Sequence, residues 1–122
     1  MTTLYYTHTS MAEHDTGPGH PKRSDRLRAV WKALDGPPFA GLDRREPPIA
    51  DLAPILRVHP RSHIDAIFAA VPGDGQAYVD ADTVVSPGSR EAAMRAVGAV
   101  TAAVDAVIAG EGRNAFCAVR PP

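Results

Sequence analysis

The sequence predicts an α/β domain built on a parallel sheet. Three observations predict it. A run of β-formers, Leu4-Tyr5-Tyr6, stands near the start. A long helical stripe occupies Ser89 to about Ala109, with Ala93, Val97, Val100, Val104, Val107 and Ile108 recurring at helical spacing. The continuous apolar run Asn114–Val119, NAFCAV, follows directly and reads as a strand buried on both faces. Strand, excursion, strand, helix and strand is how a parallel α/β sheet begins.

The elements between follow from local chemistry. Thr7–His20 is polar, aperiodic and closed by Gly17-Pro18-Gly19, so it reads as a loop. Pro21 suits the first turn of a helix, since its missing N–H costs nothing there. That helix is expected to run to about Leu34, with Leu27, Val30, Trp31 and Leu34 as its apolar stripe, and to stop at Asp35-Gly36-Pro37-Pro38. Residues 43–50 hold a short strand that Pro47 and Pro48 confine to an edge or to its first half. Asp51 caps a brief helical turn over Leu52–Leu56, and Pro60 opens a helix sharing a face between His63, Ile64, Ile67 and Phe68. Residues 72–90 read as loop. In the long helix, Ala92, Ala96, Ala99 and Ala103 are small enough to admit a sheet closely, and Gly110 and Gly112 end it.

Composition narrows the function classes. A chain of 122 residues fits one domain, and its net charge of −1 gives no bulk attraction to nucleic acid or anionic lipid. No apolar stretch reaches membrane length. Met1–Ser10 has neither the charged nor the apolar region of a secretory signal, so a cytoplasmic setting is the default expectation. A single cysteine, Cys117, excludes an internal disulfide and a thiolate metal cluster; inside NAFCAV it reads as a buried small hydrophobe.

Several motifs invite a chemical reading. Gly17–Lys22, GPGHPK, lacks the third glycine of a dinucleotide fingerprint and does not directly follow a strand. His59 and His63 stand at i, i+4, a metal-ligand spacing, but the Glu of the metalloprotease motif is missing and Pro60 intervenes. Rings bonded to backbone at a helix start are the simpler reading. His20 lies in the Gly/Pro-ordered loop beside Lys22, Arg23 and Arg26; a solvated histidine and a site residue both stay open. Arg26, just before Leu27, reads from the residues alone as a solvated charge. The alternative is a guanidinium facing a polar cavity. Asp80 and Asp82 stand at i, i+2, and in extended chain would share a side. A cation site, a capping turn, or a carboxylate accepting from a ligand's backbone amides all fit, caps and Asx-turns being the commoner use.

Taken in order, His14–Leu34 (HDTGPGHPKRSDRLRAVWKAL), Arg57–Ile67 (RVHPRSHIDAI), Tyr78–Val100 (YVDADTVVSPGSREAAMRAVGAV) and Phe116–Pro122 (FCAVRPP) resemble the start of the histone deacetylase family. The resemblance is in particular to the bacterial class II-like deacetylases, of which acetylpolyamine amidohydrolases are relatives. The resemblance implies the N-terminal portion, residues 1–122, of an arginase-like three-layer α/β domain with a central parallel sheet. It implies zinc-dependent hydrolysis of an acetyl-lysine-type amide or another small acyl-amide. Asp82 matches the rim carboxylate that grips substrate amides. Arg26 matches the arginine beside an internal cavity proposed as an acetate exit, and His20 matches a loop near the active site. In the family a Gly and a His-His pair follow RPP, and the zinc ligands come later. No catalytic residue and no metal ligand is therefore expected within 1–122, and the chain is expected to be a fragment, inactive alone. Lys22 departs from the family pattern, where a Glu or similar residue is common after GHP, and alters the expected charge of the rim. A non-catalytic interaction module is the alternative, and homo-oligomer formation through an open strand edge is the further expectation.

Overall fold

The computed structural model describes residues 2–122. Strand β1 (Thr3–Tyr6) lies between β2 (Asp43–Arg45) and β5 (Asn114–Cys117), parallel to both. Its register pairs Tyr5 with Arg44 on one side and with Phe116 on the other. The predicted parallel sheet is therefore present, as three strands.

Alternation along β1 divides the core into two layers. Leu4 and Tyr6 point to helix α4 (Ser89–Ile108), where they meet Ala99, Ala103 and Ala106. Tyr5 points to the opposite face and packs with Met11, Leu27 of helix α1 (Asp25–Leu34) and Ala118. The sheet is thus covered by α4 on one face and α1 on the other, which is the three-layer arrangement expected of parallel strands.

Helix α4 spans the predicted residues, and the face that meets the sheet is the one of small residues expected to admit it closely, not the valine stripe. Its buried side is Ala92, Ala96, Ala99, Ala103 and Ala106, while Val100, Val104 and Ile108 are exposed, Ile108 by 81%. The physical reason is distance. Methyl side chains let the helix axis approach the sheet more closely than valines would, and closeness decides which face is dry. The same closeness operates at Gly98, where a Cβ would stand 1.8 Å from the Pro48 carbonyl oxygen. Here the segment 47–50 crosses the helix, with Ala50 N–H donating to the Met94 carbonyl at 3.1 Å and Arg95 Nη1 to the Pro47 carbonyl at 2.9 Å. Gly98→Ala is therefore expected to cost about 1–3 kcal/mol by displacing backbone against backbone, despite the better helix propensity of alanine. Chemical denaturation of the variant beside the parent checks this.

Other departures have local causes. Helix α1 starts at Asp25, four residues later than Pro21 suggests, because the carbonyl of Lys22 and the hydroxyl of Ser24 are taken by bonds outside the helix. Thr9–Glu13 is a 3₁₀ helix rather than loop, burying Ser10 and Met11. The stretch 72–90 contains a small antiparallel pair, β3 (Ala77–Tyr78) and β4 (Val84–Val85), with Val84 and Val85 buried. Strand β5 is not buried on both faces: it lies at the sheet edge and Phe116 is 49% exposed beside Tyr5, ring centroids 6.2 Å apart. The short helices α2 (Ala53–Leu56) and α3 (Arg61–Ala70) fall where expected, except that Leu52 and not Asp51 is the N-cap of α2, with no side-chain bond closing it. His59, just before α3, and His63 in its first turn stack on each other with centroids 5.0 Å apart, rather than bonding backbone. Among the described residues no helix is long and apolar enough to cross a membrane.

Candidate functional site

In parallel sheets, backbone groups at the carboxyl ends of strands are unpaired and loops converge there, so ligands gather at that edge. In this chain the loop between β1 and α1, residues 7–24, folds over the carboxyl end of β5. Three sets of hydrogen bonds hold it there.

The first set lies at the loop's start. Trp31 Nε1–H donates to Thr7 Oγ1 at 2.7 Å, and the Thr7 hydroxyl donates to the Ala118 carbonyl at 2.8 Å. One threonine thus ties α1 to the chain leaving β5. His8 Nδ1 accepts from Ser10 N–H at 3.0 Å, and its Nε2 lies 2.9 Å from Glu46 Oε1.

The second set joins the loop to the start of α4. Ser86 Oγ donates to the Glu13 carbonyl at 2.9 Å and accepts from Asp15 N–H at 2.8 Å. Ser89 Oγ accepts from Ser86 N–H at 2.7 Å and lies 2.7 Å from His14 Nδ1. His14 is buried, and burial pushes its pKa down to about 4. The Arg120 cation adds to that depression, Asp15 opposes it, and His20 adds a smaller push in the same direction as Arg120.

The third set is centred on Arg120, just beyond β5 and buried. Its Nη1 donates to the carbonyls of Met11, at 3.0 Å, and of His14, and to Ser24 Oγ at 2.9 Å. Its Nη2 donates to the Lys22 carbonyl at 2.6 Å. Burial, and then the neighbouring Arg28 and Arg26, lower its pKa against a raising effect of Asp15, yet a guanidinium stays charged. Sequence reasoning passed over this residue as a site. The available signal was a lone cation at the end of the apolar run NAFCAV.

Beside this clamp lies a cavity of about 380 Å³. Its wall includes the side chains of Lys22, Arg23, Arg26 and Arg120 together with Leu27, Val30, residues 116–119 and Pro122, and no Asp or Glu side chain. Arg26 therefore borders a cavity, and Arg23 and Lys22 join it there. Cys117 borders it as well; burial raises its thiol pKa, which suits an unreactive side chain.

His20 and Asp82 meet next to this cavity rather than in its wall. Gly17, with φ of +89°, makes the turn that brings His20 round, helped by Asp15 Oδ1 accepting from Gly17 N–H at 2.8 Å. His20 Nδ1 accepts from Lys22 N–H at 3.0 Å, which leaves Nε2 to donate to the Asp82 carbonyl at 3.1 Å. Asp82 N–H in turn donates to Asp80 Oδ1 at 2.9 Å. That backbone bond, seconded by Thr83, holds the Asp80 carboxyl below its usual range. Asp80 is thus the Asx-turn residue, and the two carboxylates do not act as a pair. The exposed Asp82 carboxylate accepts no bond from the chain's own side chains at this turn, whose backbone is fixed from both sides. So the chain brings Asp82 to His20, His20 to Lys22, and Lys22 to the cavity that Arg26 borders.

The chain was then compared with known proteins. The histone deacetylase domain matches residues 20–122. A histone deacetylase-like amidohydrolase of Pseudomonas aeruginosa is 36% identical over 105 residues, 85% of this chain and 27% of that protein. A probable deacetylase of Archaeoglobus fulgidus is 30% identical over 125 residues, 100% of this chain and 34% of that protein. Histone deacetylase 8 of Arabidopsis thaliana is 30% identical over 110 residues, 84% of this chain and 28% of that protein. In three dimensions the HD domain of HDA15 superposes with a TM-score of 0.89 at 24% identity, covering 99% of this chain and 36% of that one. The chain belongs to the histone deacetylase family, and its fold is the α/β fold of that family. It spans roughly a third of the relatives it matches.

The family implies a metal ion, and the residues of this chain do not fit one. Among the described residues no group of three or more His, Cys, Asp or Glu side chains is placed to hold a metal. His59 and His63 stack as a pair with no third such group beside them.

Proposed function

We propose that the protein containing this chain hydrolyses an acyl-amide, an acetylated lysine side chain in a peptide, to the amine and acetate. Residues 1–122 supply one wall of the substrate site and the cavity beside it. Family membership supports the reaction class. The single observation that carries this chain's part in it is the cavity at the carboxyl end of β5, whose wall gathers four cationic side chains and no Asp or Glu side chain. A small carboxylate product is stabilised there by charge and by the guanidinium fork. In this reading Arg26 faces the departing acetate. Asp82 stands at the rim, where a carboxylate accepts from the backbone amides flanking the acylated lysine. His20 holds the Asp82 turn in place. Zinc is the metal expected for the intact domain, and no step is assigned to it on these residues.

The test compares an acetyl-lysine peptide with an acetylated polyamine on the full-length protein. The peptide is expected to be hydrolysed. Asp82→Asn is expected to raise its KM about tenfold by weakening charge-assisted bonds, with little change for the polyamine, which has no peptide backbone. Equal KM effects on both substrates would remove Asp82 from the rim. Absence of hydrolysis of either would remove the reaction. The isolated chain 1–122 is expected to turn over neither.

A further inference from the structure

The Arg120 contacts go beyond anchoring a chain end. Its fork reaches the carbonyls of Met11, His14 and Lys22 and the hydroxyl of Ser24, four oxygens spread along one loop. The first precedes the loop's turn at Gly17 and the last two follow it, so the loop is gripped on both sides of His20. No carboxylate takes part in these bonds, so the buried charge rests on carbonyl dipoles and one hydroxyl. A lysine ammonium is a single point and cannot present donors along two directions of a plane.

We infer that Arg120 is a positioning residue: it sets where the loop carrying His20, and through it the Asp82 turn, stands relative to the carboxyl end of β5. Its effect on the reaction rests on the function proposed above, while its grip on the loop does not. The bonds Arg120 donates all go to the loop, although its side chain also borders the cavity. It acts through the carbonyls on either side of His20, and His20 acts through the Asp82 carbonyl 3.1 Å away.

The experiment uses the full-length protein carrying Arg120→Lys, with Ser24→Ala as a milder second variant that removes one acceptor. Hydrogen exchange is followed by mass spectrometry, and KM and kcat are measured on an acetyl-lysine peptide. In Arg120→Lys, exchange in peptides covering 14–26 is expected to rise about tenfold, the equivalent of one charged hydrogen bond, while β1 and the middle of α4 keep parent rates. KM is expected to rise roughly threefold or more, with a smaller change in kcat. A residue that merely kept the protein folded would lower the active fraction, hence the apparent kcat, and leave KM alone. Exchange unchanged in 14–26 for both variants, or a kcat loss with KM at the parent value, overturns the inference. If the parent protein hydrolyses no acyl-amide, the functional reading fails and the exchange result alone decides whether Arg120 holds the loop. If Arg120→Lys does not fold, Ser24→Ala decides, by faster exchange in 20–26 or its absence.

Discussion

Arg120→Met is expected to lower the free energy of unfolding by about 3–5 kcal/mol. Methionine keeps much of the packing volume and removes every donor. The Met11 carbonyl would then lose the guanidinium outright, while the carbonyls of His14 and Lys22 would keep only longer bonds from the hydroxyls of Ser24, at 3.3 Å, and Thr16, at 3.4 Å. Each buried acceptor left without a donor costs about 1–3 kcal/mol, less where water can enter. The cavity alongside gives water access to part of the cluster, so the total stays below the sum. Urea denaturation of parent and variant, read by circular dichroism, measures the difference. A loss under about 1 kcal/mol would mean that the loop satisfies itself without the arginine.

Acidification should act through His14. Folded, this ring stays neutral down to about pH 4, because burial and the Arg120 charge oppose protonation; unfolded, it takes up a proton near its ordinary value of 6.5. Between those two values the unfolded chain holds more protons than the folded one. Stability therefore falls as pH is lowered through that window, and the full loss, about 3 kcal/mol, is reached below the folded pKa. His14→Asn keeps a polar atom where Nδ1 faces Ser89 and removes the titration. The variant's stability is expected to vary less between pH 6.5 and 4 than the parent's, the two curves diverging as pH falls. Parallel curves across that range would show that His14 is not the group responsible.

The two predictions share a cause. His14 offers its carbonyl to Arg120 and its ring to Ser89, so one residue joins the clamp after β5 to the start of α4. Residues 14, 24, 86, 89 and 120 are scattered along the chain, and nothing in their spacing announces that they meet. Ser86 and Ser89 fall in a stretch that reads as loop-rich. Arg120 reads as the charge that ends an apolar run. Only folding brings the strand's end under the loop, and only then do the carbonyl dipoles converge on one guanidinium.

What was legible was legible for period-based reasons. Helical spacing marked α4 to within a residue, β-formers marked β1, and the run at 114–119 marked β5. What misled was face and boundary. Val100, Val104 and Ile108 read as the apolar stripe but are exposed, whereas the small alanines, expected to admit a sheet closely, are the ones buried. Asp82, Arg26 and His20 stood out from resemblance, and the structure places Asp82 against His20 and Arg26 at the cavity. Their residue types alone favoured solvated charges and a capping turn, a role that Asp80 fills instead.

The amino-acid order by itself determined the class of the domain, the sequence of its elements and its family, since these depend on local periodicity and on motifs read along the chain. The tertiary structure decided which side of α4 is dry, where α1 begins, and that a buried arginine holds the loop beside a cation-lined cavity. The reason is that local pattern sets what each segment prefers, whereas burial and hydrogen-bond satisfaction depend on which distant segments arrive at the same place.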